Sequence, residues 1–409
     1  MRPAPAVRSP LYTLAMVGLL YFAQGIPLGL AMHALPTLLR SQGASLAALA
    51  WLPLVGLPWV LKFLWATQVD NRAGSPLGRR RGWIVPMQAA VALCLAVAAA
   101  TGIDQASAPL IVALALVTSI ASATQDIATD GLVAEQFEGA MLARANALQV
   151  GGTMIGFFFG GAGALVVAGR AGTHAAAAVL CGAVLLGLAA VLGWREPHVP
   201  AQSGAAAHRH RQARLRAVLQ RPGAAWLLAA SLLSAMTAVS GHGLAKLFLV
   251  DAGWSLDEVG TLGMAGGVIT VLLGCGGGAW LTARMGAGRV FALGVAACGA
   301  SALLWWAGAG AMSYPAPALA WLATLAGSFG AGSASVAIMT LGMRFAAGGG
   351  QAGTDMTAVQ SMRDLGEVAT SSSLVLLASL LGYGGAFAIG AVLAALALAV
   401  ARGMPRPSA

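Results

Sequence analysis

Residues 173–194 read THAAAAVLCGAVLLGLAAVLGW and contain no Asp, Glu, Lys or Arg. About 20 apolar residues in a helix cross the hydrocarbon core of a bilayer. Because lipid offers no partners to backbone N–H and C=O groups, such a stretch predicts a transmembrane helix. The whole chain has the same character: it has 409 residues, of which 58% are hydrophobic and 9% charged, against about 25% charged in soluble domains. This composition excludes a soluble enzyme, a disordered chain and a nucleic-acid-binding domain.

Similar apolar stretches follow one another along the chain. They lie at roughly 11–33, 46–66, 83–103, 108–132, 142–168, 173–194, 223–250, 256–283, 288–309, 315–342, 355–380 and 383–402. A transmembrane β-barrel would instead show short segments of alternating hydrophobicity. The sequence therefore predicts an all-α membrane protein with twelve transmembrane helices, here called spans one to twelve.

The basic residues predict the orientation of these spans. Of the 23 Lys and Arg residues, 18 fall in inner loops if the N-terminus is cytoplasmic, and Arg40 and Arg170 fall in outer loops. Cytoplasmic loops of membrane proteins carry such an excess of positive charge. We therefore expect both termini in the cytoplasm and an even number of spans.

A long basic stretch at 195–222 divides the chain. It predicts an N-terminal six-helix half at 1–194, a cytoplasmic linker at 195–222 and a C-terminal six-helix half at 223–409.

The two halves also begin one of their spans alike. Ser45 precedes span two in the sequence GASL, and Ser255 precedes span eight in GWSL. Both serines are expected to cap helices, and Glu258 completes a capping box with Ser255. Two six-helix halves joined by a basic loop resemble the layout of the major facilitator superfamily.

Ionisable residues inside spans are costly and indicate function. Lys62 lies in span two, and Asp126 and Asp130 lie four residues apart on one face of span four. Two close carboxylates favour uptake of a proton, because each raises the pKa of the other. Alternatively, Lys62 and one aspartate form a structural ion pair, and one arrangement can serve both purposes.

Other polar residues inside spans are candidates for a substrate or proton pathway. With the three above, the predicted set is Gln24, His33, Lys62, Gln125, Asp126, Asp130, Gln149, His242, Lys246, Arg363 and Asp364. Arg363 can bind a substrate carboxylate or pair with Glu367 four residues later. His33 and Lys246 lie nearer the outer side, so a position at the rim of the cavity is an alternative for them.

Residues 70–81 read DNRAGSPLGRRR. This stretch resembles the cytoplasmic signature of the superfamily between its second and third helices. The resemblance implies a gating latch of Asp70, Arg72, Arg79 and Arg80, in which the carboxylate accepts hydrogen bonds from arginine or a helix N-terminus. The alternative is a solvated basic loop that only sets the topology.

Small residues predict close contacts between helices. Gly152, Gly156 and Gly160 repeat every four residues in span five, which permits close approach of another helix. Pro27 and Pro53 lie inside spans one and two, where missing backbone hydrogen bonds permit bending.

Four strings narrow the resemblance to one branch of the superfamily. They are YFAQGIPLGL at 21–30, LKFLWA at 61–66, TQDIATDG at 124–131 and QVGG at 149–152. Together they resemble the AmpG-related branch, which includes muropeptide permeases, acetyl-CoA transporters and the RhtX/FptX siderophore importers. The first half carries most of the likeness, and the compact chain with ATDG is most similar to the RhtX/FptX importers.

The resemblance implies an importer of the bacterial inner membrane that moves a small anionic solute by alternating access. The expected solute is an iron-siderophore, and its import is expected to be coupled to protons. An AmpG-like permease for muropeptides or another amphiphilic metabolite is the alternative. A membrane-embedded enzyme is disfavoured because the chain shows no nucleophile motif. A sensor is disfavoured because the basic loop has no apolar docking face. The chain shows no P-loop and no metal-ligand spacing, so we expect protons, solute and lipid as partners, with no cofactor, metal or nucleic acid.

Overall fold

The computed structural model describes residues 10–71, 76–137, 139–196, 218–311, 315–347 and 352–403, and nearly all of them lie in helices. The elements in chain order are α1 Pro10–Gly29, a π turn Leu30–Ala34, α2 Leu35–Ser41, α3 Leu46–Leu49, a 3-10 turn Leu52–Gly56, α4 Leu57–Leu61, α5 Phe63–Asn71, α6 Arg81–Thr101, α7 Ala108–Gln136, α8 Gly139–Phe158, a π turn Phe159–Gly163, α9 Ala164–Leu192, α10 Ala224–Asp251, α11 Leu256–Ile269, a π turn Thr270–Gly277, α12 Gly278–Met285, α13 Ala287–Ala311, α14 Pro317–Ala347 and α15 Ala352–Arg402.

Ten helical segments in the described ranges are long and apolar enough to cross a membrane. Two of them, Leu148–Leu192 and Ala358–Arg402, are 45 residues long. Each is interrupted by a glycine with a non-helical backbone, Gly172 at φ 84° and Gly382 at φ 74°. These interruptions lie at boundaries between the apolar stretches seen in the sequence. The chain is an all-helical, multi-pass membrane protein.

The described residues group into two compact units. Those in the ranges 10–30 and 61–196 form the first unit, and those in the ranges 31–60 and 218–403 form the second. The chain passes between them at the π turn that follows α1, three residues after Pro27. It passes back where the second apolar stretch is broken into α3, a 3-10 turn, α4 and α5.

Glycine contacts hold α1 against α8 in the first unit. A Cβ on Gly156 would lie 2.0 Å from the Phe22 carbonyl oxygen, and one on Gly160 would lie 2.1 Å from that of Ile26. From the other side, a Cβ on Gly25 would lie 2.3 Å from the Thr153 carbonyl oxygen. The predicted close approach of a helix to this glycine row is confirmed, and α1 is the helix concerned.

The ends of α6 and α9 in the first unit are capped by charged side chains. The Glu196 carboxylate accepts hydrogen bonds from the backbone N–H groups of Arg80 and Arg81 at 3.0–3.1 Å. The Arg81 guanidinium donates to the carbonyls of Val191 and Leu192 at 3.1 and 2.8 Å. An acid at a helix N-terminus and a base at a C-terminus both complement the helix dipole.

The turn between α6 and α7 is tied by Asp104 and Ser107. The backbone N–H of Ser107 donates to the Asp104 carboxylate at 2.7 Å. This bond, with the one from the Ser107 hydroxyl, lowers the pKa of the exposed Asp104 carboxyl below its ordinary value, because both favour the charged form.

The second unit has an aromatic core between α10, α13 and α15. Trp305 stacks on Phe387 with 6.1 Å between ring centroids, and Phe248 makes edge-to-face contacts with both rings.

Both helix caps predicted from the sequence are found in the second unit. Ser45 accepts from the backbone N–H of Ala48 at 3.2 Å, and Ser255 forms the capping box with Glu258.

Candidate functional site

The first unit contains a partly buried ion pair between Lys62 and Asp126. Lys62 occupies the turn between α4 and α5, where its ammonium donates to Asp126 Oδ2. The Gln24 amide nitrogen on α1 donates to Asp126 Oδ1 at 2.6 Å. Trp65 holds α5 on α7 through a 3.1 Å hydrogen bond to the Thr124 hydroxyl. The break in the second apolar stretch thus places the lysine beside α7, and its partner is Asp126.

Asp130 lies one turn further along α7 and has different partners. The Tyr21 hydroxyl of α1 donates to its Oδ1 at 2.7 Å, and the Gln149 amide of α8 donates to the same oxygen at 2.8 Å. Both donors are neutral. The two carboxylates of α7 are therefore held differently, since Asp126 is paired directly with a cation while the hydrogen-bond donors to Asp130 are neutral.

Two buried amide oxygens, on α1 and α7, have no hydrogen-bond donor among the described residues. Gln24 is 1% exposed and Gln125 is completely buried, and the Oε1 atom of each has no hydrogen-bond partner among the described residues. The Gln125 amide nitrogen donates to the Leu20 carbonyl at 3.3 Å. Unpaired buried acceptors cost about 1–3 kcal/mol each, so both oxygens favour a hydroxyl, amide or water donor at this place.

The six charged and polar side chains that meet on α7 are here called the carboxylate cluster. Its members are Tyr21, Gln24, Lys62, Asp126, Asp130 and Gln149. Their formal charges sum to minus one when both acids are ionised and to zero when one proton is bound. Because an uncompensated charge inside a membrane protein is costly, this geometry favours reversible uptake of one proton.

Two further predicted residues meet in the second unit. Lys246 on α10 is 6% exposed, and its Nζ lies 2.7 Å from Nδ1 of His33 in the π turn Leu30–Ala34. His33 lines a narrow cavity together with residues of α2, α10 and α15. Lys246 is thus buried, while His33 is partly exposed at the cavity. The side chain of His242, also predicted here, lies outside the described residues.

Arg363 and Asp364 lie on α15 in the second unit. The Arg363 Nε atom is buried and has no acceptor among the described residues. In the same described part of the chain, Arg363 and Glu367 form no ion pair. Both interpretations of Arg363, as a substrate ligand and as an electrostatic partner of Glu367, stay predictions.

The structure describes part of the predicted latch. Arg72 and the side chain of Asp70 lie outside the described residues, and Arg79 is exposed. Arg80 is only 4% exposed, and its guanidinium lies against α7, where a Cβ on Gly131 would be 2.2 Å from its Cζ. Arg80 is thus packed on the helix that carries both site aspartates.

The structure also contains groups that sequence reasoning missed. Tyr21 belongs to the first of the four family strings, but its hydrogen bond to Asp130 was not predicted, because a tyrosine in an apolar span usually indicates a core residue. In the second unit Arg40 binds both oxygens of Asp251 at 2.6 Å, and the Tyr383 hydroxyl donates to the same carboxylate at 2.6 Å. These three side chains are far apart in the sequence, so no local pattern joins them.

Another ion pair in the second unit joins Arg221 to Asp355. The guanidinium also donates to the Phe345 carbonyl and lies 3.8 Å from the centroid of the Phe345 ring. Asp355 is completely buried in the first turn of α15. The sequence placed Arg221 in the basic linker, where it read only as a topology determinant.

Comparison with known proteins identifies the relatives of this chain. The model of the major facilitator superfamily matches residues 17–371. The anhydromuropeptide permease of Escherichia coli (strain K12) is 32% identical over 158 residues, which are 38% of this chain and 32% of the permease. The putative transporter AmpG 4 of Rickettsia conorii is 29% identical over 166 residues, 40% of each chain. In these alignments the chain spans between about a third and two fifths of the length of the relatives.

Solved structures show the same fold at low identity. A mutant of the nucleoside transporter NupG superposes with a TM-score of 0.66 and 12% identity, covering 95% of this chain and 99% of that one. Tetrameric PepTSo2 superposes with a TM-score of 0.66 and 14% identity, covering 97% and 98%. At such identities the likeness concerns the fold alone.

Proposed function

Because the chain belongs to the major facilitator superfamily and is a transporter rather than an enzyme, we propose that it imports a small solute together with protons. The observation that carries the proposal is the carboxylate cluster, where two acids share one cation inside a membrane protein. One bound proton makes the cluster neutral. Solute movement coupled to that proton gains the energy of the proton gradient.

The proposal includes twelve spans and two moving halves. The glycine interruptions at Gly172 and Gly382 support two spans in each 45-residue segment. The halves at 1–194 and 223–409, joined by 195–222, then rock about a site between the two leaflets. The arginine distribution supports cytoplasmic termini, and the permease relative supports the inner membrane.

We assign different tasks to the two acids of α7. Asp126 keeps Lys62 in place through an ion pair, and this pair holds the turn between α4 and α5 on α7. Asp130 carries the exchangeable proton, because its hydrogen-bond donors Tyr21 and Gln149 are neutral, whereas Asp126 is paired directly with Lys62.

The solute that we propose is a sugar-peptide of the anhydromuropeptide type. The name of the Escherichia coli relative supports it, as does the AmpG-related pattern around the cluster. The buried amide oxygens of Gln24 and Gln125 suit hydroxyl and amide donors, which sugar-peptides have in number. An iron-siderophore stays a prediction from the RhtX/FptX resemblance and belongs in the same assay.

The test is uptake by the purified protein in liposomes with an inward proton gradient. We expect labelled anhydromuropeptide to accumulate above equilibrium and a protonophore to abolish this accumulation. Asp130→Asn should stop accumulation but keep exchange of internal for external solute, since the neutral amide mimics the protonated acid. Asp104→Asn is the matched control, because it removes an exposed acid outside the cluster.

Two results would overturn parts of the proposal. Equal accumulation with and without a proton gradient would exclude proton coupling. Gradient-driven uptake of a phenolate or hydroxamate siderophore, without uptake of the sugar-peptide, would replace the proposed solute by the siderophore and leave the coupling intact.

A further inference from the structure

The second unit contains a buried lysine without an acidic partner. Lys246 is 6% exposed, and in the described part of the chain its ammonium has one partner, the His33 imidazole at 2.7 Å. An ammonium has three N–H donors, so two of them have no acceptor among these residues. A charged residue inside a span is costly, and a neutral imidazole offsets only part of that cost.

His33 connects this charge to open space. The imidazole belongs to the lining of the cavity, as do Gly243 and Leu247 on either side of Lys246 along α10. An ammonium can only donate, so in this contact Nδ1 of a neutral imidazole is the acceptor, which assigns the imidazole proton to Nε2. His33 sits in the π turn Leu30–Ala34, and such turns often re-aim side chains at functional sites.

The rest of the cavity wall is suited to a single small group. Ser371 contributes a hydroxyl, and the remaining wall is largely apolar, as at Met32 and Leu374. The described lining contains no carboxylate. A narrow, apolar cavity with one positive charge behind its wall favours a carboxylate over a cation or a whole sugar ring.

We propose that Lys246 and His33 form the subsite for a carboxylate group of the transported solute. This inference rests on the proposed function only for the choice of solute. The carboxylate accepts a hydrogen bond from the His33 imidazole, and the ammonium of Lys246 supplies the opposite charge. The carboxylate cluster of the first unit handles the proton, while this subsite selects anionic solutes.

The experiment measures binding to the purified full-length protein by isothermal titration. The probes are the anhydromuropeptide with a free C-terminal carboxylate and the same compound with a C-terminal amide. We expect the acid to bind the unmodified protein at least tenfold more tightly than the amide. Hydrogen bonds to charged groups contribute about 1.5–3 kcal/mol, which corresponds to a ten- to roughly hundredfold preference.

Variants of the lysine test its role directly. Lys246→Met should bind both probes with the affinity of the amide, whereas Lys246→Arg should keep the preference for the acid. The methionine fits an apolar span, so folding should survive. Arg344→Met is the matched control, because it removes one exposed positive charge from the end of α14, outside the cavity.

Each other outcome overturns the inference. Acid and amide binding equally to the unmodified protein, or an acid preference that survives in Lys246→Met, would exclude the subsite. Binding of neither probe would overturn the proposed solute and, with it, the inference as stated. The proposed function fails separately. Gradient-driven uptake of acid and amide alike would support the proposed function and exclude the subsite. Acid-selective binding without gradient-driven uptake would support the subsite and exclude proton-coupled import.

Discussion

Gly156→Ala should destabilise the first unit by a predictable amount. The new Cβ would lie 2.0 Å from the Phe22 carbonyl oxygen and 2.9 Å from its carbonyl carbon. Ordinary contacts begin at about 3.5 Å, so α1 and α8 must separate locally by about 1.5 Å. The obstacle is backbone rather than a flexible side chain, so we take the upper end of the overpacking range, about 3 kcal/mol.

Gly151→Ala is the matched control on the same helix. A Cβ at Gly151 meets no atom within 4 Å. Both variants gain about 1 kcal/mol of helix propensity, so this gain cancels in the comparison. The two variants should therefore differ by about 3 kcal/mol in the free energy of unfolding, with Gly156→Ala the less stable.

The assay is denaturant unfolding of the purified protein in one detergent, followed by proton-driven uptake in liposomes. Uptake should fall in Gly156→Ala, because α1 carries Tyr21, whose hydroxyl must stay within 2.7 Å of Asp130. Equal stabilities for the two alanine variants would refute the reasoning, since they would mean that α1 and α8 do not touch at this glycine.

Three further predictions concern two ion pairs and the tyrosine that hydrogen-bonds to one of them. Lys62→Met should lower the free energy of unfolding by about 3–5 kcal/mol, because it leaves Asp126 charged and without its cation. Adding Asp126→Asn should recover most of that loss. A double variant no more stable than Lys62→Met in the same unfolding assay would contradict the pairing. Arg40→Met should cost about 1 kcal/mol, since Arg40 and Asp251 are each about one quarter exposed, and 1 M salt should abolish most of the difference from the unmodified protein. Tyr383→Phe should cost a similar amount without the salt dependence; stabilities unchanged in both variants would exclude a stabilising role for this group.

Several features of the fold could be predicted because they depend on short stretches of sequence. Apolar runs predicted membrane helices, and Ser45 and Ser255 predicted caps that depend on the next few residues. The spacing of Gly152, Gly156 and Gly160 predicted a close contact, because residues four apart share a helix face. The same rule placed Asp126 and Asp130 together.

The partners of these residues could not be predicted with the same certainty. Lys62 was expected to pair with an aspartate, but the sequence left open which one and whether the pair was structural. The choice of Asp126 depends on the break before α5, which turns the lysine toward α7. Tyr21 gave no polar pattern at all, since its hydroxyl finds Asp130 only when α1 packs beside α7.

The sequence by itself determined the class of protein, the orientation expected from its arginines and the face of α7 that carries two acids. These properties follow from composition and from periods of a few residues. Only the tertiary structure decided which polar side chains meet. Lys246 contacts His33, which is 213 positions away in the sequence, and Arg40 contacts Asp251, which is 211 positions away. Such contacts depend on how separate helices pack, and helix packing is determined by the summed contacts of whole surfaces rather than by any one stretch of residues.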